Sequence, residues 1–400
     1  MQTVVLAAGA GTRMRPLTDR RPKPTVPVAD RTLVEHVVDG AVAAGASRVV
    51  VVVGYAADAV RDALDDRDVT FVTQERQRGT ADAVRAARDA LHDAPFAVLN
   101  GDVLYDQASL TRLYDAGPAV GAARVDDPEN YGVLEADGDL VRSVVEKPTD
   151  PPSNLVNAGA YVFPAAALDW LDVAESDRGE YELTDVLERA CDAVDVRAVT
   201  VDRWLDVGRP WELLAANEWK LGDLTRRIDG DVHPDADLRG SVVVETGATV
   251  DAGVVIEGPA LVRSGATVGP NAYVRGATLV GEGAKVGHAV EVKNSVLMAG
   301  ATVGHLSYVG DSILARDVNF GAGTTVANLR HDDADVLVRV KGQPTSTGRR
   351  KFGVVCGDGV KTGIDTALNA GVVLGTEART GPSETVTRDR GRSSDDTNVY

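Results

Sequence analysis

From Val232 onward an aliphatic residue returns at every sixth position: Val232, Leu238, Val244, Val250, Ile256, Val262, Val268, Val274, Val280, Val286 and Val292. A helix repeats near 3.6 residues and a strand near 2, so this period belongs to neither. Six residues per side, with glycine often following the aliphatic position, is the pattern of a hexapeptide-repeat solenoid whose coils stack on one another. After Val292 the register slips by one twice, and Leu297, Val303, Val309, Leu314, Phe320 and Val326 take the inward role. The pattern breaks across residues 327–351 and resumes at Cys356, Thr362, Leu368 and Leu374. Slips and a long break are what a stack carrying a site would show, rather than a plain one. The solenoid is therefore assigned to residues 229–385, and the polar stretch 386–400 is expected to be a flexible tail.

Residues 1–228 have a different rhythm. "TVVLAAG" precedes "TLVEHVVDGAVAAG", in which Thr32 and Glu35 fit a capping box. "RVVVVVG" precedes a helix near 56–65, "DVTFVTQ" precedes "GTADAVRAARDAL", and "FAVLNGD" ends in an acidic residue. Apolar strands alternating with helices predict a Rossmann-like α/β domain with a mixed, mostly parallel sheet covered on both faces. Ligands of such sheets bind beyond the carboxyl ends of the strands.

Charge and composition narrow the function. A net charge of −18 argues against a nucleic-acid partner, because phosphate would be repelled. No run reaches the length of a membrane span. The start "MQTVVLAAG" has no basic n-region, so a cytoplasmic protein without a signal peptide is expected. Cys191 and Cys356 lie too far apart in sequence to suggest a disulfide framework or zinc cluster. Eight lysines stand against thirty-four arginines, and aspartate is abundant. Screening in a high-salt cytoplasm would favour such an acidic surface, which reads as halophilic.

The stretch "LAAGAGTRMRPLTDRRPKP", Leu6 to Pro24, follows the first strand. It lacks the Walker pattern, and Met14 stands where a dinucleotide fingerprint needs its third glycine. What remains is a glycine loop able to wrap a triphosphate, with Arg13 and Lys23 to neutralise it. The flanking Pro22 and Pro24 fix the backbone at Lys23 and aim its side chain.

This stretch resembles the signature of the sugar-1-phosphate nucleotidylyltransferases. "QERQRGTADAV", "LNGDVLY", "YGVLE", "VVEKP", "NAGAYVF", "YELTD" and "WLDVGRPWELLAAN" extend the likeness over the first half. The resemblance implies attack of a sugar phosphate on the α-phosphorus of a nucleoside triphosphate, with pyrophosphate leaving. It places Mg²⁺ on Asp102 and Asp206, whose hard oxygens suit that ion. It assigns the phosphates to Arg13 and Lys23, beside the loop residues Leu6, Ala8, Gly9 and Gly11. Gln74, Gly79 and Thr80 match positions that meet the base, and Gly132, Glu146, Lys147 and Asn157 those that hold the sugar and its phosphate. A glutamine with backbone groups suits UTP and dTTP alike.

The repeat resembles the left-handed β-helix of acyltransferases, which assemble as trimers with sites between chains. "EVKNSVLMAGATVGHLSYVGDSILARDVNFGAGTTVAN" is similar to the acetyltransferase half of the bifunctional enzymes that acetylate glucosamine 1-phosphate and uridylylate the product. That likeness implies acetyl-CoA as donor and His305 as the base that takes the amine's proton. It implies Lys293, Tyr308, Asn319 and Asn328 as substrate-binding residues. One lysine of the bacterial pattern is missing after Asn328, and the break with "TGRRK" resembles archaeal members. Arg349, Arg350 and Lys351 there are candidates for the phosphates of coenzyme A. Galactosamine 1-phosphate stays open as the acetyl acceptor. The competing reading is a single-activity glucose-1-phosphate thymidylyl- or uridylyltransferase whose β-helix only mediates oligomerisation. A solenoid used only for assembly has no need of His305 and its polar companions.

Overall fold

The computed structural model describes residues 1–176 and 178–391, so residues 392–400 of the expected tail lie outside the described residues. The chain divides into two compact units. The first comprises Met1–Ala10, Pro22–Thr25 and Arg31–Asp206; the second, Gly11–Arg21, Val26–Asp30 and Val207 onward.

In the first unit, β1 (Gln2–Ala7), β2 (Arg48–Val53), β3 (Thr70–Thr73) and β4 (Phe96–Asn100) form a parallel set. After the short strand β5 (Val103–Tyr105) come β6 (Ala119–Arg124), β7 (Gly132–Asp137), β8 (Leu140–Glu146), β9 (Leu155–Phe163) and β10 (Arg197–Thr200). The nine-stranded order is β3-β2-β1-β4-β9-β6-β10-β8-β7. It is less parallel than the alternation of segments suggests. β9 runs antiparallel to both β4 and β6, and β7 and β8 form a hairpin. The hairpin turn is the dipeptide Gly138-Asp139, between the paired Asp137 and Leu140, with Gly138 at φ 64°, a strong local hairpin signal that outweighs the α/β rhythm.

The central strands are β-branched because both faces are buried. Val4, Val50, Val52 and Val98 belong to one core with α3 (Thr80–Ala86) and α5 (Leu183–Ala193). Val5, Val49, Val51 and Val53 belong to the other, with α1 (Leu33–Ala43) and α4 (Gln107–Asp115). Each such valine contributes about 1.5 kcal/mol or more of burial free energy. The capping box at Thr32 and Glu35 is present. Strand β11 (Trp204–Asp206) pairs antiparallel with β5 and places Asp206 opposite Val103.

The second unit contains α6 (Pro210–Gly222) and a stack of short strands in three parallel sheets of eight, six and eight. Equivalent inward residues are eighteen apart, as in Val232, Val250, Val268 and Val286, which is three sides of six. The two slips shorten a coil to seventeen, aligning Val286 with Val303 and Val303 with Phe320. Valines dominate one continuous column of buried side chains. At the polar inward position, the Thr362 hydroxyl donates or accepts with Thr324 at 2.8 Å and accepts from the Gly321 amide at 3.0 Å. The break holds the hairpin Leu337–Val340 with Gln343–Ser346, after which Leu314 aligns with Cys356. The ladder includes Val386, and Arg390 bridges to Leu374.

Candidate active sites

In the first unit the assigned residues stand at strand ends. Lys23, buried in a 3₁₀ turn between its prolines, directs Nζ to Asp102 Oδ2 at 2.5 Å and Asp206 Oδ1 at 3.7 Å. The two carboxylates thus converge on one point from β11 and from the loop after β4. Their side chains are 34% and 29% exposed, open enough for an incoming phosphate. Gly101 permits this turn, since a Cβ there would sit 2.6 Å from the Leu6 carbonyl oxygen. Ala8 accepts from the Tyr55 amide and from Gln77. Gly9 has open space where a side chain would project, leaving its backbone approachable.

Two carboxylates with no third acidic or histidine ligand grouped beside them among the described residues fit Mg²⁺, which takes one or two carboxylates and fills its shell with water and phosphate oxygens. Lys23 supplies the charge that holds the pair together.

The segment 74–80 is fixed against 181–183. Buried Gln74 donates to Asp82 Oδ2 at 2.8 Å and to the Gly79 carbonyl at 3.2 Å. Gly79, at φ 109°, lets the chain at Tyr181 come close enough that a Cβ would lie 2.4 Å from its carbonyl oxygen. Thr80 Oγ1 accepts from the Leu183 amide at 2.9 Å.

Gly132, Glu146 and Asn157 come together on neighbouring strands. A Cβ on Gly132 would meet Glu146 Oε2 at 3.0 Å and Asn157 Cβ at 3.7 Å. Lys147 adopts the left-handed region at φ 44°, a strained conformation for a lysine. Its amide donates to the Tyr131 carbonyl at 2.9 Å, and its Nζ lies 3.4 Å from Glu146 Oε1. Arg178, to which the sequence reading assigns no role, donates to both Glu146 and Glu182. Burial raises the Glu182 carboxyl above its usual range despite the Arg178 hydrogen bond. Glu182 lies inside "YELTD", whereas Arg178 has no motif to announce it.

In the second unit Gly11 is left-handed at φ 64° and opens a 3₁₀ turn over Thr12–Met14. Arg13 lies over Gly208, 3.2 Å from where a Cβ would stand. It has no carboxylate partner among the described residues, unlike Arg20 and Arg21.

On the coil, three of the five assigned residues gather around Asp311. Lys293 Nζ reaches Asp311 Oδ2 at 2.7 Å, and Asn328 donates to the same oxygen at 2.5 Å and to the Tyr308 hydroxyl at 3.2 Å. Asn294 donates to Asp311 Oδ1 at 3.0 Å and to Glu218 of α6 at 2.8 Å. Asp311 is nearly inaccessible and left-handed at φ 50°. It stands inside the quoted repeat but carries no distinguishing spacing, so sequence reading passes over it. Burial and the Asp311 charge both push the Tyr308 phenol up. Arg275 aligns with Lys293 one coil away and pairs with Glu291 at 2.7 Å.

His305 and Asn319 are placed elsewhere. His305 is exposed at the corner between the second and third sheets, with no ring hydrogen bond among the described residues. Asn319 is exposed on the second sheet, opposite Thr302. Of the three cations in the break, Arg349 pairs with Glu218 and Arg350 with Asp333, while Lys351 is exposed. The cysteines are free, and burial raises both thiols, Cys191 to about 11, which leaves them inert near neutrality.

Comparison with known proteins places the chain in a family. The nucleotidyl transferase family matches residues 2–221, and the GMPPB C-terminal domain matches residues 256–380. The chain is 38% identical to the bifunctional protein GlmU of Methanococcus vannielii, over 97% of this chain and 95% of that one. Identity to the GlmU of Methanocaldococcus jannaschii is also 38%, with the same coverage. It is 37% to a bifunctional sugar-1-phosphate nucleotidylyltransferase/acetyltransferase of Sulfurisphaera tokodaii, over 98% of each chain. With that likeness sustained across both units, the chain belongs to the nucleotidyl transferase family and, within it, to the GlmU-type bifunctional nucleotidylyltransferase/acetyltransferases.

Proposed function

We propose that the chain makes a UDP-N-acetylhexosamine in two steps. Acetyl-CoA first acetylates the amine of glucosamine 1-phosphate. The phosphate of N-acetylglucosamine 1-phosphate then attacks the α-phosphorus of UTP, and pyrophosphate leaves. The observation that carries this reading is the presence on one chain of two distinct polar clusters, Lys23 with Asp102 and Asp206, and Lys293 with Asp311, Tyr308 and Asn328.

In nucleotidyl transfer, positioning and charge neutralisation do most of the work. Arg13 and Lys23 hold the triphosphate, and the loop of Leu6, Ala8, Gly9 and Gly11 brings backbone amides to it. Gln74, Gly79 and Thr80 meet the base. Gly132, Glu146, Lys147 and Asn157 hold the sugar phosphate, with Arg178 setting the orientation of Glu146. Asp102 and Asp206 would hold a Mg²⁺ ion, which would supply charge neutralisation at the phosphate oxygens.

In acetyl transfer, His305 accepts the amine proton as nitrogen attacks the thioester carbonyl, then gives that proton to the sulfur as the carbon–sulfur bond breaks, so that coenzyme A leaves as the thiol. Lys293 holds the sugar phosphate, aimed by Asp311. Asn319, Tyr308 and Asn328 orient the acceptor. His305 and Asn319 occupy other parts of the coil surface than Lys293, which favours a site completed by a second copy in a left-handed, trimeric β-helix. The acidic surface suits a salt-rich cytoplasm, and no helix among the described residues is long and apolar enough to cross a membrane. The nucleotidyltransferase and acetyltransferase parts are assigned to residues 1–228 and 229–385.

The test is a panel of glucosamine, N-acetylglucosamine, galactosamine and glucose 1-phosphates against UTP and dTTP, with and without acetyl-CoA, in high salt. Release of coenzyme A with glucosamine 1-phosphate, and of pyrophosphate with UTP and the N-acetyl sugar, is expected. Pyrophosphate release from glucose 1-phosphate with no coenzyme A from any amino sugar would leave the single-activity reading.

A further inference from the structure

The segment Gly11–Arg21, which the proposed function assigns to the triphosphate, belongs to the same compact unit as the coil. Its internal bonds are short-range turns and an Arg15–Asp19 ion pair at 3.6 Å. The Met14 and Leu17 amides donate to Gly11 and Met14, and Thr18 donates to the Gly11 carbonyl. The coil adds contacts from residues far along the chain. Pro16 packs against Gly357, where a Cβ would come within 2.9 Å of the proline ring. Thr376 Oγ1 donates to Asp19 Oδ2 at 2.9 Å. Arg20 pairs with Glu377. Arg21, its side chain only 10% exposed, reaches Asp358 at 4.0 Å.

Asp358 is itself organised for this task. It is 9% exposed and receives the Arg316 guanidinium at 2.8 and 3.2 Å and the Arg316 amide at 3.1 Å. Two arginines therefore share one buried carboxylate, and Arg21 Nε and Nη2 find no hydrogen-bond partner among the described residues. Burial, then the Arg316 charge, brings the Arg21 guanidinium down to about 10, with Asp358 opposing. Residues 357–358 and 376–377 stand at the same corner of successive coils, where the Glu377 amide donates to the Asp358 carbonyl at 2.8 Å. One corner of the stack thus holds four loop residues, Pro16, Asp19, Arg20 and Arg21. Arg13, without a carboxylate of its own, takes its place from the backbone those four fix.

We propose that this corner of the β-helix positions the triphosphate loop, with Asp358 and Thr376 as positioning residues for nucleotidyl transfer although they lie in the acetyltransferase part of the chain. The inference rests on the assignment of Gly11–Arg21 to the triphosphate. It requires the last coils to be intact for nucleotidyl transfer, since displacement of a phosphate-holding group by about 1 Å can cost up to a hundredfold in rate.

The test uses full-length Asp358→Asn and Thr376→Val. Hydrogen exchange of residues 11–21 is read beside kcat and KM for UTP in pyrophosphate release, and coenzyme A release serves as control. Asp358→Asn is expected to speed exchange in 11–21 and raise KM for UTP about tenfold, with acetyl transfer within about twofold of wild type. Thr376→Val, which removes one hydroxyl, should act in the same direction by about threefold. Wild-type exchange and KM in both variants overturn the proposal. If Asp358→Asn loses both activities through misfolding, Thr376→Val decides, and unchanged exchange and KM there overturn it equally. A wild-type enzyme that transfers no nucleotide would refute the functional reading instead, while exchange in 11–21 would still report whether the corner holds the loop.

Discussion

Single side chains separate the two chemistries. Asp102→Ala removes one of the two carboxylates that converge on Lys23. Mg²⁺-dependent pyrophosphate release should fall about a hundredfold or more, with acetyl transfer unchanged. His305→Ala should do the opposite, abolishing coenzyme A release while nucleotidyl transfer continues. Parallel assays of both products check the pair, and loss of both activities in either variant would break the two-site scheme. Most candidate positions come from motifs that resemble a known family, and their roles remain those the resemblance implies. Arg178 and Asp311 were not legible, because their roles arise from what folding brings against them: Glu146 and Glu182 in one case, Lys293 and Asn328 in the other. A buried carboxylate in a solenoid corner has no period to mark it.

Elements formed where local signals agreed with burial. The capping box at Thr32 was readable, and so was the stacking register, because a six-residue period leaves one inward set. The hairpin at Gly138-Asp139 is hidden in the sequence because the surrounding βα rhythm suggests parallel crossovers. Asp106 shows how an element end serves a site. Its Oδ1 caps α4 by accepting from the Ser109 amide at 2.9 Å, and Oδ2 accepts from the Arg203 amide at 3.1 Å, beside the strand carrying Asp206. Burial alone would raise this carboxyl, but the hydrogen bonds outweigh it and hold it below its ordinary value. A depressed folded value means the stabilisation is present above the unfolded value near 3.9 and is lost as pH falls through the folded one. Asp106→Ala should therefore cost about 1 kcal/mol at pH 7, a difference that shrinks below about pH 4. Urea unfolding at the two pH values measures it.

The whole molecule carries a net charge of −18, so repulsion among its carboxylates opposes the compact state. Many ion pairs run between exposed partners, such as Arg20 with Glu377 and Arg239 with Glu257, and exposed pairs contribute little. Raising salt from 0.1 to 1 M shortens the screening length from about 10 to about 3 Å, so relief of repulsion should dominate. The melting temperature is expected to rise by about 5 °C or more over that range, followed by circular dichroism. A fall would show that the ion pairs outweigh the excess charge. At this scale the sequence by itself determined the two architectures, since a six-residue period and an apolar βα alternation each bury their side chains in one way. It also supplied the motifs whose resemblance points to candidate residues for phosphate and for an amine. Only the tertiary structure decided which of them meet: Lys23 between two aspartates, Lys293 on a buried Asp311, and the segment Gly11–Arg21 against a corner of the last coils. Periodicity is a property of neighbours along the chain. The partners of Asp19 and Lys293 stand 357 and 18 residues away, and only the closed fold brings them within hydrogen-bond reach.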